Sequence, residues 1–100
     1  MNSKVQSGAN TAASITLTAS PDQRHKLQEV LWSYSGTPTG KITVTGLEGD
    51  DMDVDVTAGG TGAIPLPPAA YGRVNTSVVI TIAAGGAGVI GKLNVFHERE

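Results

Sequence analysis

The chain contains no cysteine, which excludes disulfides, thiolate nucleophiles and cysteine-held zinc. Charge is scarce as well: 16% of its 100 residues are charged, where an ordinary domain carries about a quarter. Seven basic residues stand against nine acidic ones, a net charge of −2, so no nucleic-acid partner is expected. Aromatic residues are few, with one Trp, two Tyr and one Phe. No apolar run approaches the ~18 residues of a membrane helix, and the N-terminus lacks the apolar stretch of a secretory signal. A membrane partner is therefore not expected. The abundant residues are Val (10), Ile (6), Thr (11) and Gly (13). β-branched side chains favour strands and glycines favour tight turns. Length and composition together predict one all-β domain that is not an enzyme.

Apolar residues alternate along most of the chain instead of recurring at helical spacing. The first 13 residues are small and polar with a single Val, and read as a flexible N-terminal arm (1–13) before a folded domain (14–100). Ile15 and Leu17 alternate with Thr16 and Thr18 until Pro21 and Asp22 end that strand. Residues 25–35 have an ambiguous period. Leu27, Val30 and Leu31 fit a helix face, whereas Val30, Trp32 and Tyr34 alternate. A long strand with a bulge at the phase change is preferred to a short helix there. Further strands are expected at 41–45, 52–56, 63–66, 76–83 and 89–97. Breaks are expected at 35–40, 46–51, 57–62 and 83–88, and a loop at 67–75. Pro65 places the 63–66 strand at a sheet edge, because an internal strand would lose a ladder bond. Six to seven short antiparallel strands at about ten-residue spacing describe a β-sandwich or small barrel. A single-domain, jelly-roll-like sandwich is the architecture expected. Its expected core is Ile15, Leu17, Val30, Trp32, Ile42, Val44, Met52, Val54, Val56, Val78, Ile80, Ile82, Leu93 and Val95.

Several patterns suggest chemistry and fail on context. Gly86, Gly88 and Gly91 match GxGxxG, and with Lys92 the same run spells GxxxxGK. A phosphate loop needs a Ser or Thr after the lysine, but Leu93 stands there, and too little chain follows for a crossover helix and strand. The run reads as a hairpin connection, and no cofactor is expected. Asp51, Asp53 and Asp55 match the first ligand positions of a calcium loop, but Val56 and Gly62 occupy the places of its Gly and Glu. On a strand these three carboxylates share a solvated face that discourages edge pairing; they remain weak metal candidates. His25 and His97 read as surface histidines, with no nucleophile or paired carboxylate beside them. Residues 65–68 have the PxxP form of a polyproline ligand but lie inside the domain, as a stiff loop covering one end. Tyr71 and Arg73 beyond it are candidate contact residues.

WSYSGTPTG at 32–40, DVDVT at 53–57, IPLPP at 64–68, AAGGAGV at 83–89 and GKLNV at 91–95 follow in an order that resembles small β-sandwich proteins of tailed-phage structural modules. The resemblance spans about residues 14–96 and rests on turns and strands, so it transfers no functional residue. It implies a virion accessory protein, such as a capsid decoration or cement protein, often a trimer on the capsid lattice. The expected partners are then the major capsid protein or other virion subunits and further copies of the chain. The expected location is the virion, assembled in the host cytoplasm. Lys4 and Val5 of the arm join Tyr71 and Arg73 as expected contacts. The competing reading is a carbohydrate- or receptor-binding module of a tail or fibre. Such a site wants exposed aromatics, and Tyr34 and Tyr71 are the residues available for it.

Overall fold

Two-residue alternation makes each strand apolar on one face, and such faces bury themselves by stacking two sheets. The computed structural model describes residues 2–100, and for residues 65–69 the backbone alone. It contains eight strands: β1 (Asn2–Gln6), β2 (Ala13–Leu17), β3 (His25–Tyr34), β4 (Gly40–Thr45), β5 (Met52–Val56), β6 (Gly60–Tyr71), β7 (Val78–Ile82) and β8 (Gly91–Arg99). One antiparallel sheet has the order β1-β8-β3-β6 and the other β2-β7-β4-β5. This is jelly-roll winding, in which a long folded-back ribbon wraps into two sheets.

The ribbon can be read from the pairing. Val5 lies opposite Leu93, Ile15 opposite Ile80, Val30 opposite Ile64 and Ile42 opposite Val54. The midpoints of these pairs fall at residue numbers 49, 47.5, 47 and 48. The chain is therefore one nested hairpin turning at 46–51, and the β3–β8 and β4–β7 pairings close it into the sandwich.

The core sits between the sheets. Leu27, Val30, Val44, Val78, Ile80, Ile82, Leu93 and Val95 have no solvent exposure, and Ile42 almost none. Each such side chain contributes about 1.5–3 kcal/mol through removal from water. Ile15, Leu17 and Val56 join them as expected, and Leu27, Tyr34, Leu47 and Val89 are core residues that the expected core did not include. Trp32 and Met52 are only partly buried and pack against its margin, and Val54 is half-buried, contrary to expectation. All three face inward near the edges formed by β5 and β6, where no further strand covers them.

The structure has eight strands where six to seven were expected, and three further expectations change. Residues 2–6 of the expected arm form β1, because five register pairs with β8 satisfy its backbone and Val5 packs inward. The expected break at 57–62 and loop at 67–75 are shorter, since β6 runs from Gly60 to Tyr71. Its ladder with β3 shifts register between Leu27 and Glu29, so residues 66–69 stand opposite Gln28 alone. The bulge expected in β3 lies at this point, and β6 is an edge strand, as Pro65 requires. The covering role expected of residues 65–68 lies outside the described residues. Residues 25–31 belong to strand β3 rather than a helix.

Candidate interaction surface

Antiparallel strands send successive connections to alternate ends of the sandwich. One end gathers residues 18–24, 46–51 and 72–77 with the outer ends of β1 and β8. The Asp22 N–H donates to Asn75 Oδ1 at 2.6 Å, and the Glu48 N–H to the Tyr71 carbonyl at 2.9 Å. Arg24 reaches Glu48 at 3.2 Å and Glu100 at 3.5 Å, and its guanidinium lies 3.9 Å from the Tyr71 ring centroid. Asp22 and Asn75 adopt left-handed backbone angles, φ 57° and 60°, which short polar side chains tolerate. Asp50, Asp51, Arg73, Glu98 and Arg99 add to the charge at this end.

The other end gathers residues 7–12, 35–39, 57–59 and 83–90, and none of them is charged. Serines stitch it together. Ser7 exchanges bonds with Gly91, its N–H donating to the carbonyl at 2.8 Å and its Oγ accepting the Gly91 N–H at 2.9 Å. Ser35 binds Ile90 in the same two ways, both at 2.9 Å. Asn10 donates to the Val89 carbonyl and Thr39 to that of Gly85, each at 3.1 Å. A Cβ on Gly59 would lie 2.7 Å from the Gly36 carbonyl oxygen, so the 57–59 connection packs backbone to backbone. Gly86 and Gly88, at φ 118° and 73°, turn the last connection, and no helix follows them to bind phosphate. Gly8, Ala9, Asn10, Thr37, Ala58, Gly59, Ala87 and Gly88 present small exposed groups to solvent.

The expected contact residues fall in separate places. Lys4 is exposed on β1 and, with Gln6, Lys92 and Asn94, lines a basic groove of about 320 Å³. Val5 is partly buried against the core and also lines this groove. Tyr71 ends β6, three strand positions from β1 in the same sheet, about 14 Å at the usual spacing. Arg73 is exposed in the following connection beside Val74, which is 50% exposed. The aromatics named for sugar stacking are engaged elsewhere: Tyr34 is 3% exposed, and Arg24 covers a face of Tyr71.

The aspartates do not converge. Asp51 Oδ1 accepts the Gly46 N–H at 3.2 Å, and Asp53 lies 3.7 Å from Lys41 Nζ on the outer face of β5. Asp55 is exposed two residues along the strand. Among the described residues, no three His, Cys, Asp or Glu side chains are placed to hold a metal ion.

The histidines overturn their surface reading: His25 is 5% exposed and His97 6%. Both lie at the charged end and line a cavity of about 260 Å³ with Thr16, Thr18, Ser20 and Arg99. Their sequence signal is phase, since His97 continues the inward series of Leu93 and Val95, and His25 precedes Leu27 by two.

No protein-family model matches the chain, and no curated protein is similar to it in sequence. Solved structures are similar to it. The Drosophila NLP core, described in terms of pentamer formation and histone binding, matches with TM-score 0.53 and 15% identity over 98% of each chain. A de novo designed double-stranded β-helix matches with TM-score 0.45 and 11% identity over 98% of this chain and 99% of that one. The virus-like particle of the extra small virus of the prawn Macrobrachium rosenbergii gives TM-score 0.36 and 14% identity, covering 97% and 76%. At these identities the likeness to the NLP core speaks to the fold, which hosts many functions.

Proposed function

We propose that the protein is a non-enzymatic structural subunit of a tailed-phage particle, a decoration or cement protein that assembles with its own copies on the capsid. The observation that carries this reading is the division of the molecule into a charged end and an end whose four connections hold no charge. Interface centres are depleted of charged residues, because an ion removed from water must be repaid by a partner. Small side chains also let two backbones approach closely. The outer face of the β2-β7 half of the β2-β7-β4-β5 sheet supports the same reading, since Ser14, Thr16 and Thr81 leave it polar and uncharged, the charges of Lys41, Asp53 and Asp55 lying on β4 and β5. Stabilisation would follow from mass action: binding the assembled shell and not its dissociated subunits favours the shell.

Co-sedimentation with tailed-phage shells stripped of accessory proteins tests the proposal. The wild type is expected to bind and to raise the temperature at which the shells dissociate. A triple variant, Ala9→Glu with Ala58→Glu and Ala87→Glu, places charges on exposed positions of the uncharged end and is expected to stay folded but unbound. Absence of wild-type binding, or binding undiminished by the three charges, overturns the proposal. Light scattering supplies the copy number. A trimer matches the capsid symmetry that the sequence resemblance implies, whereas the NLP core, similar in fold, bears on a pentamer.

A further inference from the structure

The buried histidines take no part in that reading, yet burying two imidazoles side by side is costly unless their polar atoms are satisfied. His25 Nε2 lies 2.8 Å from the Thr18 carbonyl oxygen. A carbonyl can only accept, so Nε2 carries a proton and donates it to Thr18. The His25 Nδ1 is buried with no hydrogen-bond partner. His97 Nε2 lies 2.8 Å from Ser3 Oγ, a bond that ties β8 to β1 across the edge of the sheet. Burial foremost disfavours a charge on His97, and the positive charge of Arg99 acts in the same direction. Ser3 and the residues lining the cavity from β2 and the connection after it carry no charge, and Glu48 and Glu100 are engaged by Arg24. Among the described residues, no carboxylate is hydrogen-bonded to either ring.

We propose that His97 and Ser3 form an acid-responsive latch, which holds β1 on the sheet edge while the buried His97 ring is neutral and releases it when that ring is protonated. A charge on the buried His97 ring would be held by a neutral serine hydroxyl, with no carboxylate hydrogen-bonded to it, and opening of β1 would return the ring to water. Of the strands, β1 is the one placed to yield. It is a five-residue edge strand, and Val5 is its one apolar side chain packed against the core. Segments with little buried apolar surface open at the lowest free energy. On release β8 becomes the outer strand of its sheet, with a free backbone edge.

Hydrogen exchange of the full chain, corrected for the intrinsic pH dependence of the amides, reads the latch directly. Between about pH 7 and about pH 5, opening of β1 is expected to rise by up to about tenfold per pH unit for each proton taken up, while β7 stays protected. His97→Gln keeps a polar group facing Ser3 but cannot titrate, and its β1 exchange is expected to lose most of this pH dependence. Wild-type exchange in β1 that ignores pH, parallel opening of β1 and β7, or an unchanged pH response in His97→Gln overturns the proposal. Should that variant not fold, an NMR titration of the wild-type His97 imidazole decides. Titration coupled to loss of β1 amide protection supports the latch, and titration that leaves β1 untouched rejects it.

Discussion

The Tyr34 hydroxyl donates to the Ala83 carbonyl at 2.8 Å, joining the end of β3 in one sheet to the residue after β7 in the other. Gly40 lies directly beneath this bond, and a Cβ there would collide with the tyrosine hydroxyl and Cζ. Tyr34→Phe keeps the ring and removes the bond, and is expected to cost about 1 kcal/mol. Gly40→Ala must displace the ring itself and is expected to cost more, about 1–3 kcal/mol. Urea unfolding of both variants checks the order. Burial raises the Tyr34 pKa, so stability is complete below the ordinary tyrosine value and falls as pH rises through the raised one.

Trp32 is the largest side chain in the protein but not its strongest anchor. It is partly exposed and lies against Gly62, where a Cβ would come within 2.5 Å of Cζ2. Full burial of Trp makes truncation to Ala cost about 3–5 kcal/mol, and partial burial lowers that range. Leu93, with no exposure, loses all its packing on truncation. Leu93→Ala is therefore expected to destabilise by about 2–5 kcal/mol and to match or exceed Trp32→Ala, as thermal unfolding of the two variants would show.

The protein is expected to weaken in mild acid. Burial foremost, then the amino terminus, His25 and Arg99, lower the His97 pKa in the folded state. The unfolded chain then binds the proton more readily. Stability is complete above the ordinary histidine value of about 6.5 and declines as pH falls through the lowered one. Urea midpoints measured across this window are expected to fall in the wild type and to flatten in His97→Gln.

Calcium and EDTA are expected to leave the melting temperature unchanged. Asp51 turns back to Gly46, Asp53 faces Lys41, and Asp55 stands apart on the strand. Thermal scans with either addition check this, and a calcium-dependent rise would show that these carboxylates gather around the ion.

Much of the fold was legible because its strands have one wet face. Met52, Val54 and Val56 against Asp53 and Asp55, or Val78, Ile80 and Ile82 against Val79 and Thr81, announce strands by period alone. The phase change in β3 marked its bulge for the same reason. β1 escaped notice because a five-residue edge strand needs little apolar surface, and Val5 is its one strongly apolar member. The start of β6 was hidden by Gly60 and Gly62, which read as a turn although Gly62 makes room for Trp32. The uncharged end was present in the sequence as four charge-free connections. Seeing that they share an end required the antiparallel parity of the strands. The burial of His25 and His97 was recorded only in their inward phase, which is weak evidence for a polar side chain.

The nested pairing about residues 46–51 also sets an order of events during synthesis. β4 and β5 are neighbours in the chain and can pair soon after both emerge from the ribosome. Each later pair must wait longer, and β1, the first strand made, has no partner until β8 follows. Such distant pairing delays closure, and unpaired strand edges invite association with other chains. The short, polar and lysine-bearing composition of β1 suits a segment that must remain harmless in water until the rest of the domain has been translated.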